Sequence, residues 1–229
     1  MSSNPFIDLL ILYLTTPSSD FYLSKLIGGS KNPTLEPFTA AEVSLGTQTI
    51  AGISMALSLQ NLIIQGISNV QVQKNNGVPV ITVNGNNVSF AAQTPNTEAP
   101  PPNVPGALTL TALLNIVPSS TPPFSGYLTV TINQSTLLGN FTATSNDGTP
   151  QQVVVNFSQL TFNAAAAPSN MTVTLVMSNP LAPFINSILN QPAVLQKIIS
   201  GVQGELSQAN VLQALSQFAT QAARTVLSE

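Results

Sequence analysis

The chain has no cysteine, no histidine and no tryptophan, and it carries only five basic and eight acidic residues among 229. Without cysteine there is no disulfide framework, no thiolate nucleophile and no thiolate metal site. Without histidine the commonest general base and the commonest metal ligand are gone. Eight scattered carboxylates remain for acid-base work, and no two stand at a spacing that suggests a glycosidase pair or an oxygen-ligand metal loop. Neither catalysis nor a bound cofactor or metal is therefore expected. Five basic residues and a net charge of -3 cannot neutralise a run of phosphates, which removes nucleic acid as a partner and gives no support to electrostatic adhesion to anionic lipid.

Charge is replaced by apolar surface and neutral polarity. Charged residues make up 6% of the chain against a usual ~25%, hydrophobic residues 43%, and mean hydropathy is +0.29. The polar remainder is mostly Asn, Gln, Ser and Thr. The length suffices for one large domain or two small ones with a real core.

Long hydrophobic runs are also scarce. Phe6 to Leu14 is apolar apart from Asp8, and Asn4-Pro5 ahead of it reads as a helix cap with proline at the first helical position. The run is too short to span a bilayer. It has no Lys or Arg before it and no clear small-x-small cleavage site after it, so a buried or self-associating helix is preferred to a processed leader. The expected compartment is then the cytoplasm, or the exterior by an unconventional route. The same helix is the expected contact for a homodimer or a protein partner, and transient membrane contact rests on it alone. A second short helix is predicted over Asp20 to Ile27, stopped by Gly28-Gly29.

The stretch around which the chain is organised is Pro180 to Leu206. Its apolar positions fall at Leu181, Phe184, Ile185, Ile188, Leu189, Leu195, Ile198, Ile199, Val202 and Leu206, a stripe covering one side of a helix. Pro192 should kink that helix or restart it. A third helical pattern runs from Asn210 to Leu227. Between the helical ends the period is two. Ile53, Met55, Leu57 and Leu59 alternate with small or polar residues, Asn61 breaks the phase, and Gly66 punctuates, which predicts a bulge or sharp bend. Asn84-Gly85-Asn86-Asn87 is a hairpin signal. Further one-faced strands are expected at Leu108 to Ile116, Leu128 to Ile132, Leu137 to Phe141, Val153 to Phe157, Leu160 to Phe162 and Met171 to Met177. Residues Gly28 to Phe38 and the proline-rich Thr94 to Pro105 read as loops. Five Asn-x-Ser/Thr triplets, starting at Asn87, Asn133, Asn140, Asn156 and Asn170, are what chance gives in so Asn- and Thr-rich a chain. The fold class expected is α+β.

Leu57 to Val72, LSLQNLIIQGISNVQV, with the helix that begins Pro183-Phe184-Ile185, resembles the tubular lipid-binding superfamily. That superfamily includes bactericidal/permeability-increasing proteins, takeout proteins, mite group 7 allergens and bacterial relatives from clostridial toxin gene clusters. The resemblance implies a strongly curved antiparallel sheet wrapped around a long C-terminal amphipathic helix, with an apolar tunnel between them for a lipid or another hydrophobic small molecule. The resemblance spans roughly Thr47 to Leu206 and leaves the N-terminal helix unplaced; the expected organisation is residues 1–46 as N-terminal helices and loop, 47–208 as the lipid-binding domain, and 209–229 as a helix packed on that domain. The inward faces supply the expected lining: Met55, Leu57, Leu59, Leu110, Leu114, Val130, Phe157, Phe162, Val173, Leu175, Phe184, Ile188, Leu195 and Ile199. For each of these, an ordinary core side chain is the preferred reading over a ligand contact. Binding would work by burial alone, at ~0.8 kcal/mol per methylene removed from water. The alternative is a non-enzymatic subunit or chaperone of a larger assembly that meets partners through apolar surface.

Overall fold

The computed structural model describes residues 5–28, 36–50, 52–94 and 108–228. Two helices open it, α1 (Pro5–Thr15) and α2 (Leu23–Gly28), and three close it, α3 (Ala182–Leu189), α4 (Pro192–Leu206) and α5 (Ala209–Leu227). Between them run β1 (Phe38–Ile50), β2 (Ile53–Gln65), β3 (Gln71–Val72), β4 (Lys74–Asn75), β5 (Val78–Pro79), β6 (Ile81–Asn84), β7 (Asn87–Thr94), β8 (Leu108–Pro118), β9 (Phe124–Ile132), β10 (Ser135–Ser145), β11 (Val153–Ala164) and β12 (Met171–Val176). This is the α+β architecture predicted, with antiparallel strands and an amphipathic C-terminal helical region.

The strands hydrogen-bond as two five-stranded sheets. The first has the order β1-β2-β8-β9-β12, and the second the order β11-β10-β7-β3 with β6 also on β7; β4 and β5 form a separate small hairpin. Every pairing is antiparallel. Each sheet takes strands from both sides of the proline-rich connection, so that connection divides no domains. Its residues 95–105 lie outside the described residues. So do residues 29–35 of the other predicted loop.

The bend in β2 lies where the sequence breaks phase. Asn61 has φ 52°, and the register on β8 passes from Gln60↔Leu113 to Ile63↔Thr111, so Asn61 and Leu62 of β2 together face the single residue Ala112 of β8. Gly66, at φ 93°, then turns the chain out of the first sheet, and β3 joins the second. In β11 a second slip lies opposite Asn140 and Phe141, whose partners are Gln159 and Phe157. Ser158 is the extra residue, and buried positions switch from Val153, Val155 and Phe157 to Leu160 and Phe162. The two short strands read from sequence are thus one bulged strand.

Three expectations are corrected. β1 occupies residues read as loop or left unassigned and crosses the boundary drawn between residues 46 and 47. Its alternation is broken by a bulge between Ser44 and Gly46, where Gly46 has φ 75°, so no single phase marks it. The β4–β5 hairpin turns on Asn76 and Gly77, both with positive φ, and went unread. The first turn of the second predicted helix is irregular, with the helix starting at Leu23.

Apolar faces from both sheets and from all five helices form one core. α1 buries Ile7, Leu10 and Leu14, spaced for one helix face, beside α5. Phe21, Phe90, Phe141 and Phe157 stack edge-on or tilted with centroids 5.3–6.4 Å apart, which ties the N-terminal segment to the second sheet. Phe90 covers Gly139 on the neighbouring strand, where any Cβ would collide with the ring.

Candidate functional site

Two antiparallel sheets that share one core leave open edges, and an open edge exposes unpaired N–H and C=O groups. The C-terminal helices close two of them. Pro192 restarts the helix: Gln191 is extended at φ -72°, ψ 138°, and α4 begins with proline in its first turn, where a missing N–H costs nothing. α4 then lies across the gap between β1, an edge of the first sheet, and β11, an edge of the second.

The buried stripe of α4 is Val194, Leu195, Ile198, Ile199, Val202 and Leu206. Burying an aliphatic side chain of this size contributes about 1.5–3 kcal/mol each. Gly201 lets the helix approach β1 closely, since a Cβ there would overlap the Val43 side chain. Polar contacts fasten both flanks. On the β1 side Lys197 Nζ donates to Leu45 O at 2.7 Å. On the β11 side Gln203 accepts from the Phe162 N–H and donates to Leu160 O at 3.3 Å. The helix is bounded by two hinges, Asn190-Gln191 before it and Ser207-Gln208 after it.

α5 continues the closure along β11. The Phe157 N–H donates to Ser216 Oγ at 2.8 Å, the Val155 N–H to Thr220 Oγ1 at 2.9 Å, and Arg224 Nε donates to Val153 O at 2.9 Å. Four helical residues rise ~6 Å and two strand residues ~6.8 Å, so hydroxyl and guanidinium groups at every fourth helix position meet every second strand residue.

Behind this seal lie the residues expected to line a tunnel. Met55, Leu59, Leu114 and Leu195 have no accessible surface at all, and Leu57, Leu110, Val130, Phe157, Phe162, Val173 and Ile199 are likewise buried. Zero accessible surface means that no water-sized space adjoins the side chain, so the interior at these positions is closely packed. Leu175 and Ile188 are partly buried at its margin. Phe184 does not belong to the set: it is 58% exposed, because Ile185 and Leu189, four residues apart, form the buried face of α3. Val194, Ile198 and Val202 complete the interior stripe, and the same helical spacing that gave Leu195 and Ile199 could have found them. On α3, Asn186 Oδ1 is buried with no hydrogen-bond partner among the described residues, a cost of about 1–3 kcal/mol.

Four clefts at the surface are of a different character. A cleft of about 920 Å³ at one end of the strands is lined by neutral polar groups such as Gln93, Asn133, Ser135 and Asn170. A groove of about 700 Å³ runs between β11 and α5, and the others lie beside Tyr127 and beside Asn61. Phe157 is the one expected lining residue that borders any of these four. Among the described residues no cluster of acidic side chains could hold a metal ion, and no helix is long and apolar enough to cross a membrane.

No protein-family model matches the chain, and no curated protein matches it. Solved structures similar to it include the following two. Lipopolysaccharide binding protein matches 78% of this chain at 12% identity with a TM-score of 0.40, and this chain spans about a third of its length, 35%. Takeout 1 of Epiphyas postvittana matches 86% of this chain at 11% identity with a TM-score of 0.42, and 79% of its own length is covered.

Proposed function

We propose that this protein binds a hydrophobic ligand, a lipid acyl chain or a molecule of similar shape, in its apolar interior, with α4 as the movable seal and without catalysis. The observation that carries the reading is the position of α4 across the gap between the β1 and β11 edges, over an interior built almost wholly from aliphatic and phenyl side chains. The ligand would take the place of part of the α4 stripe, gaining ~0.8 kcal/mol per methylene buried. The Lys197 and Gln203 contacts and the two hinges would govern how readily the seal lifts. The packed arrangement described above is then the closed form of that seal.

A second reading is favoured by the close packing of the same interior: a non-enzymatic subunit or chaperone that uses exposed apolar side chains such as Leu9 and Leu12 on α1 to meet a partner. Chloroform extraction of the purified protein, followed by titration with a fluorescent fatty acid, separates the two. Bound lipid, or saturable uptake that rises when Lys197→Met and Gln203→Leu are combined, supports the first. No extractable lipid and no uptake by either the wild type or the loosened variant would sink it.

A further inference from the structure

Of the outer strands of the two sheets, β12 stands out by combining length with an unfinished edge; β6, whose outer edge is also open, has only the four residues Ile81–Asn84. β1 has a bulge and a lysine ammonium on Leu45 O, and β11 is bonded by Ser216, Thr220, Arg224 and Gln203. β3 is only two residues long, and Ser24 on α2 donates to Ser68 O just before it. β12 runs for six residues, Met-Thr-Val-Thr-Leu-Val, with β9 on one side and α3 packed against it. Among the described residues no side chain bonds to its backbone from Thr172 to Val176. It contains no proline, glycine or charged residue, the usual devices that keep an edge from pairing.

The outer face beside that edge is apolar as well. Val176 is 66% exposed and stands opposite Tyr127, which is 74% exposed; Tyr127 in turn stands opposite Leu113. These three side chains form a row across β8, β9 and β12 that stops at the open edge.

We propose that the edge of β12 pairs antiparallel with the same edge of a second copy of this chain, joining the two first sheets across a two-fold axis near Thr174. Two observations select a second copy. Between Glu98 and Lys197 the only charged residue is Asp147, far from this edge in the other sheet's β10–β11 turn, so two copies meet here with no like-charge repulsion. An antiparallel strand pairs with itself symmetrically: about Thr174, Thr172 meets Val176 of the copy and Val173 meets its Leu175, which covers the exposed Val176 and the partly buried Leu175 with β-branched neighbours. The contact also closes on itself. A head-to-tail contact of β12 with β1 would propagate into a filament, but the bulge and Lys197 obstruct that edge.

The test uses the full chain. Sedimentation of the wild type over a concentration series is expected to show a monomer–dimer equilibrium, and Thr174→Lys is expected to weaken it at least tenfold while leaving the circular dichroism unchanged. The chain has no cysteine, so Thr174→Cys provides a single thiol; under mild oxidation it is expected to form a disulfide-linked dimer, whereas Thr82→Cys on exposed β6 remains monomeric. A wild type that stays monomeric to its solubility limit overturns the proposal. So does a dimer that survives Thr174→Lys, or a Thr174→Cys variant that cross-links no faster than Thr82→Cys.

Discussion

Thr220 Oγ1 accepts the N–H of Val155 at 2.9 Å and donates to the C=O of the same residue at 3.1 Å, so one helical hydroxyl performs for Val155 the two bonds that a neighbouring strand would supply. Ser216 and Arg224, one turn to either side, each make one such bond: Ser216 accepts the N–H of Phe157 and Arg224 donates to the C=O of Val153. The edge of the second sheet therefore ends in a helix, which pairs the N–H of Phe157, both groups of Val155 and the C=O of Val153 in a partly buried setting.

Thr220→Val keeps the shape of the side chain and removes both bonds. The expected loss of stability is about 1–3 kcal/mol, the cost of leaving buried backbone groups unpaired, read as a lower urea midpoint with an unchanged slope. Thr220→Ser should recover most of it.

Gly201→Ala places a methyl group against Val43 and is expected to cost about 1–3 kcal/mol through overpacking. Combining it with Val43→Ala should return part of that loss, and a double-mutant cycle in urea measures the coupling. If the two effects simply add, α4 does not sit on β1 at this point.

Leu195→Trp probes the interior directly. With no space beside Leu195, the larger ring should lower stability by about 1–3 kcal/mol. Phe184→Trp, on the exposed face of the preceding helix, should leave the melting temperature within error.

The carboxyl pKa of Asp147 is held below its ordinary value, chiefly by the hydroxyl of Thr149 at 2.7 Å and then by the backbone N–H of Thr149 at 2.9 Å. A depressed folded pKa stabilises above the unfolded value, and that contribution is lost as pH falls through the folded value. Asp147→Asn should lower stability at neutral pH slightly and have a shallower loss below the ordinary carboxylate range, followed by thermal melts across a pH series. The effect is small because the group is fully exposed.

Much of this architecture can be read from single residues. Asn61 and Gly66 mark the place where β2 bulges and leaves its sheet because both take backbone conformations that few other residues tolerate. Pro192 marks the restart of the helix for an equally local reason. β1 escaped because its bulge resets the alternation and its residues are small or polar, and the phase change at Ser158 split one strand into two. Asn76-Gly77 carried a readable turn signal that was passed over. The lining set was legible as a set of buried faces. Phe184 failed because a ten-position stripe is wider than the face that α3 buries. The bonds from Gln203, Ser216, Thr220 and Arg224 had no sequence signal, since they join residues 41 to 71 positions apart and depend on how a helix meets a strand edge.

Because α4 and α5 follow every strand in the chain, the edge of β11 is complete before its covering exists. On the ribosome, where synthesis runs from the N-terminus, each new molecule passes through an interval in which both sheets have emerged and their gap is unfilled. In that interval the nascent chain presents a bare apolar trough and an unpaired strand at once. The length of that exposure is set by the rate at which the last two helices are translated, so slowing the ribosome over residues 192–227 should increase misassembly of a sequence that, once finished, folds normally.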